Sequence, residues 1–113
     1  MESFKQEIYE FIASSGDVSF VELHDRFGER FTGEYTMFSS PNSKIVLWDD
    51  VSGEFIGAIG ELMVEGKIGI RYDSEIYSLY AERGVALPYP LAKNPTRDVY
   101  AQFHWLPVIM SAK

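Results

Sequence analysis

Apolar residues recur at helical spacing from the start of the chain. Phe4, Ile8, Phe11 and Ile12 stand at i, i+4, i+7 and i+8, on one face of a helix over roughly residues 2–15. Gly16 follows and can take the left-handed turn that ends a helix. In "SFVE", Ser19 and Glu22 form a capping box, in which each side chain accepts from the other residue's amide. That predicts a short second helix carrying Phe20, Leu23 and Phe27 and closing at Gly28. "EYTMFSS" and "KIVLW" are β-prone runs flanking the turn-like "SPNS", which predicts a hairpin with strands near 35–39 and 44–48. Trp48 is expected to pack into the core.

A third helix is predicted from Ser52, capped by Asp49, Asp50 or Ser52, with acidic residues suited to the positive end of its dipole. Phe55, Ile56, Ile59, Leu62 and Met63 give it a wide apolar stripe, and Gly66 stops it. Ile68, Ile70 and Tyr72 then alternate with Lys67, Gly69 and Arg71. Past Asp73-Ser74, "EIYSLY" alternates again, with Ile76, Ser78 and Tyr80 on one side, so a second hairpin is expected. The last third changes character. Pro88, Pro90, Pro95 and Pro107, four of the five prolines, follow Gly84 and exclude continuous helix. Yet the segment is rich in large apolar residues, among them Leu87, Tyr89, Tyr100, Phe103, Trp105 and Met110. An ordered arm packed on the body or on a partner chain is expected, with a turn of helix near 96–102 capped by Thr96.

Helix, capped short helix, helix and two-stranded hairpin is the order of a winged helix-turn-helix. "SFVELHDRFG", "VSGEFIGAIGELMVEGKI" and "KIGIRYDSEIYSLY" resemble its second helix, third helix and wing. "AIGELMVEGKI" is similar to the helix-to-wing junction of many such regulators. The expectation is an α+β fold: a winged-helix-like three-helix core with a two-stranded wing, an extra hairpin between the second and third helices, and a Pro-rich aromatic C-terminal arm. Residues 1–84 would form the domain, with the inserted hairpin at 30–50, and residues 85–113 the arm. Two features depart from the resemblance. The second and third helices are normally joined by a short turn, and the arm lies outside the common core.

If the resemblance extended to function, the exposed face of the third helix would enter a major groove and the wing would touch phosphate or the minor groove. That face is read as Glu54, Gly57, Ala58, Glu61 and Glu65. It carries no Arg, Lys, Asn or Gln to meet base edges, and its carboxylates repel phosphate. Gly57 and Ala58 form a smooth patch between glutamates that permits close approach of another element. Alternatively, Gly57 and Gly60 only relieve crowding against a neighbouring helix.

Charge reinforces this reading. The 113 residues carry a formal net charge of −7 and a pI near 4.7. An acidic chain starts at a disadvantage for phosphate, although a local basic patch can offset it. Lys67 and Arg71 in the wing would neutralise fewer phosphates than the roughly 6–10 of a strongly salt-sensitive binder. With no Cys, disulfides and thiolate chemistry are excluded. No signal peptide or spanning segment is expected, and a cytoplasmic location is the default.

Little in the chain suggests catalysis. His24 reads as a half-exposed helix residue, and His104 as a group hydrogen-bonded within the arm. Asp49–Asp50 is read as helix capping, and Glu61–Glu65 as a like-charged i, i+4 pair on a solvated face. No metal-ligand cluster, phosphate cradle or nucleophile constellation is evident, so neither metal nor cofactor is expected. The expected function is a non-enzymatic regulatory or adaptor module binding protein, in homodimeric form or with another partner. Its contacts would be Glu54, Ala58, Glu61, Glu65, Tyr100, Trp105 and Met110. The alternative is a DNA-binding regulator using Lys67 and Arg71, with Arg26, Arg30 and Lys44 nearby. Neither a membrane nor a small-molecule ligand is expected.

Overall fold

Ser3 opens the first helix by accepting from the Gln6 amide, and α1 (Phe4–Ser15) buries Phe4, Ile8 and Ile12. These positions belong to a computed structural model that describes residues 3–39, 44–72, 74–85, 87–92 and 102–113. Helix α2 (Phe20–Phe27) starts at the predicted capping box. Ser19 Oγ accepts from the Glu22 amide at 3.3 Å, and Glu22 Oε1 accepts from the Ser19 amide at 3.2 Å. A short 3-10 turn (Gly28–Arg30) leads into β1 (Thr32–Phe38). Strand β2 (Ile45–Val51) pairs antiparallel with β1, with register shifts along the pair. The predicted hairpin strands are therefore present, and both are longer than their β-prone cores. The turn at "SPNS" lies outside the described residues.

Helix α3 (Gly53–Val64) is capped by Ser52, whose Oγ accepts from the Phe55 amide at 3.0 Å and donates to Arg30 O at 2.6 Å. Asp49 and Asp50 are not caps; they sit inside β2. Gly66 ends α3 as predicted: at φ 73° it lets the Lys67 amide reach back to Leu62 O, 3.0 Å.

The largest correction concerns the wing. Strand β3 (Ile68–Arg71) forms as expected, but its antiparallel partner is β5 (Ile109–Ala112), with Ile68 opposite Ala112 and Ile70 opposite Met110. "EIYSLY" is not a strand. It belongs to helix α4 (Ser74–Glu82). Ile76 and Tyr80 are buried in either reading, because a spacing of four fits both a helix turn and a strand face. Ser78 discriminates. A strand would bury it with them, whereas here it is exposed. The wing tip at Asp73 lies outside the described residues, and Glu75 lies in α4.

The C-terminal residues supply strands to both sheets. Strand β4 (His104–Trp105) runs parallel to β2, giving a three-stranded sheet of order β1-β2-β4, while β3 and β5 form the second sheet. Trp105, Leu106, Val108 and Met110 join the same buried cluster as the helices. Their neighbours include Trp48, which stacks on Phe20 at 5.3 Å, and Tyr80. The turn of helix expected near 96–102, capped by Thr96, falls on residues 93–101, which lie outside the described set.

Candidate functional site

Helix α3 is apolar on two faces. Phe55, Ala58, Ile59 and Leu62, at i, i+3, i+4 and i+7, point into the core and are buried. Ile56, Gly57, Gly60, Met63 and Val64 repeat the same spacing on the other side. They border a groove of about 830 Å3 whose far wall is Thr36 to Ser39 of the β1 end, with Leu47 beneath. Val64 is 90% exposed although fully aliphatic. An apolar helix face is normally covered; among the described residues only one of these two is.

The two glycines give this face its shape. A Cβ at Gly57 or Gly60 would meet nothing within 4 Å beyond the helix's own backbone. Crowding against a neighbouring helix therefore does not explain them. Each costs the helix about 0.5–1 kcal/mol relative to alanine, and no close approach among the described residues offsets that cost.

Two of the expected contact residues border the groove. Glu61 and Glu65 stand on its rim, where Lys5 Nζ lies 2.6 Å from Glu65 Oε2 and 3.9 Å from Glu61 Oε1. Glu54 is exposed and lies 3.6 Å from Arg30. Ala58 was expected on the exposed face but is buried, because it shares the stripe of Phe55 and Leu62. Trp105 and Met110 are also buried, packed within the chain, while Tyr100 lies outside the described residues. The sequence reading missed Met37, Phe38, Gly60 and Val64. The available signal was that α3 has too many apolar residues for one face.

The residues proposed for nucleic acid are engaged inside the chain. Arg30 lies 2.9 Å from Glu7 and over the Phe4 ring, Arg71 lies 3.4 Å from Asp17, and Lys67 lies 3.9 Å from Glu65. Arg26 stacks over Phe27, and Lys44 lies over Phe103 at 5.9 Å.

The histidines and paired aspartates have local roles. His24 meets the Phe31 ring edge-on, and His104 Nδ1 lies 2.9 Å from Gln102 O within the arm. Asp49 accepts from Thr36 and from the Tyr89 hydroxyl. Burial, and then the hydrogen bond to Asp49, push the Tyr89 hydroxyl above its ordinary ionisation range. Among the described residues, no group of three or more His, Asp and Glu is placed to hold a metal ion. No described helix is long and apolar enough to cross a membrane.

The Lys5–Glu65 contact at the rim sets a pH dependence. Their hydrogen bond holds Glu65 below its ordinary value of 4.5 and Lys5 above 10.5. A lowered carboxylate contributes stability above its unfolded pKa and loses it as pH falls through the folded one. The raised Lys5 contributes below its unfolded pKa and loses it as pH rises through the folded one. Urea titrations between about pH 5 and 3 should therefore show a decline in stability that Lys5→Met flattens. An identical acid limb in both chains would remove the contribution.

Known proteins add no family to this geometry. No family model, curated protein or solved structure matches the chain.

Proposed function

We propose that this chain is a non-enzymatic protein-binding module, a regulator or adaptor that docks its partner in the groove between α3 and the β1 end. The observation that carries the reading is the pair Gly57 and Gly60, which border an apolar groove with open space, among the described residues, where side chains would stand. A helix retains such costly residues where something else comes close. The groove's chemistry fits a protein partner: thioether, aromatic and aliphatic walls, with carboxylates confined to the rim. Contact through DNA is less well supported, because "EIYSLY" is helix rather than the wing's second strand and Lys67 and Arg71 face carboxylates.

Stability and binding should therefore move in opposite directions. Gly57→Ala and Gly60→Ala should each stabilise the isolated chain by about 0.5–1 kcal/mol, raising its Tm by a few degrees. A loss of stability in either would mean that the glycine serves the chain's own packing.

The function is tested with a photo-crosslinking residue at Val64 in the protein's native cell. The expected product is one discrete adduct that is absent when the probe is moved to exposed Glu82 on α4. Gly57→Phe should abolish it with near-ultraviolet circular dichroism unchanged. An adduct of twice the chain mass would make the partner a second copy. No adduct at Val64, or the same adducts at both positions, overturns the proposal.

A further inference from the structure

Thr36, Met37, Phe38 and Ser39 all border the groove. Successive strand residues point to opposite faces. Four in a row border this groove because the register shift between Met37 and Phe38 breaks that alternation at the end of the strand, with Ser39 just past it. β1 is the end strand of its sheet, and no strand pairs with its outer side among the described residues. It carries no Lys or Pro; its guards are Glu34, which lies outside the groove's lining, and the register shifts around Met37. Opposite this edge stand Gly57 and Gly60, with no side chains to fill the space. Edge strand on one side and small-residue helix face on the other leave a slot for an extended chain.

Resting on the protein-binding reading above, the geometry points to strand addition. The groove takes an extended segment of another protein, which pairs with β1 along Thr36 to Phe38 and lies over the glycines of α3. Strand addition draws affinity from main-chain hydrogen bonds and selectivity from alternate side chains. The register shift between Met37 and Phe38 keeps the paired stretch short.

Charge specifies those side chains. Among the described residues, the charged ones bordering the groove are Glu61 and Glu65, without Lys or Arg. Lys5 lies 2.6 Å from Glu65 but 3.9 Å from Glu61, whose side chain stays 66% exposed. The occupant is thus a segment in which apolar residues alternate with Lys or Arg. A second copy is disfavoured, because each chain brings a net charge of −7.

The probe is a synthetic peptide of about eight residues alternating Val and Lys, which spans roughly 26 Å when extended. It should bind in the micromolar range and slow exchange of the outward-facing amides between Thr36 and Phe38 by at least about tenfold. N-methylation of alternate residues should weaken binding by at least about tenfold in one register and leave the other nearly unchanged, since only every second residue faces β1. Replacing Lys by Glu in the peptide should weaken binding by roughly tenfold at low salt, and Glu61→Lys should reverse that order.

Several results would overturn strand addition while leaving the docking function intact. One is a groove-bound peptide that is helical and weakened equally by both methylation registers. Another is no peptide binding although the Val64 adduct persists. A third is a concentration-dependent dimer broken by Gly57→Phe. Loss of both the peptide and the adduct overturns inference and function together.

Discussion

Tyr80→Phe is expected to destabilise the fold by about 2–4 kcal/mol although it removes a single oxygen. The Tyr80 hydroxyl accepts from the Phe20 amide at 3.0 Å and donates to Val108 O at 2.8 Å. Three separate parts of the chain meet at this atom: α4, the first turn of α2, and the strap before β5. Burial pushes the hydroxyl well above its ordinary ionisation range, so it remains a donor. Phenylalanine would keep the ring contacts with Trp48 at 5.3 Å and Trp105 at 5.6 Å. What is lost is the partner of a helix-start amide and of a buried carbonyl, each costing about 1–3 kcal/mol when left unpaired. In urea the midpoint should fall with the m-value unchanged. A loss below about 0.5 kcal/mol would mean that another group takes over both hydrogen bonds.

The same tyrosine marks the limit of what the sequence discloses. Local features were legible because local chemistry determines them. The Ser19–Glu22 box, the Gly66 stop and the β1 and β2 runs each depend on a few adjacent residues. The partner of β3 was not legible. Alternation identifies Ile68 and Ile70 as strand residues but cannot say which distant segment pairs with them, and "EIYSLY" was the nearest candidate. Its spacing of four between Ile76 and Tyr80 fits both periods. Only Ser78 separated them, and a polar residue at one position is a weak signal. The pairing with Ile109–Ala112 is supported by long-range hydrogen bonds, the backbone bridge between Met110 and Val18 and the bond from Tyr80 to Val108 O.

The groove was half legible. Glu61, Glu65 and Gly57 were placed correctly on an exposed face. Ala58 was assigned to that face because alanine contributes little to an apolar count, although its spacing from Phe55 and Leu62 puts it in the core. The opposite wall could not be found from α3 alone. Met37 and Phe38 reach it only through the pairing of β1 with β2.

Gly33→Ala tests how that hairpin is held against α3, and its expected effect is opposite in sign to the same substitution at Gly57. A Cβ at Gly33 would stand 2.5 Å from Ser52 Cα, 2.7 Å from Val51 O and 2.8 Å from Ser52 N. All three are backbone atoms, so no side chain can rotate away. Either β1 or the junction of β2 with α3 must move. That junction holds the Ser52 amide on Phe31 O at 2.7 Å and the Ser52 hydroxyl on Arg30 O, and it caps α3 through Phe55. Overpacking of this kind costs about 1–3 kcal/mol, and a weakened cap adds about 1 kcal/mol. The reduced freedom of the unfolded chain recovers only about 0.4–1 kcal/mol. A net loss of about 2–3 kcal/mol is expected, read as a lower urea midpoint. Because Gly33 sets the approach of β1 to the start of α3, the substitution should also weaken peptide binding at protein concentrations where the chain is still folded. A Gly33→Ala chain as stable as the parent would mean that β1 and α3 do not meet at the close approach described.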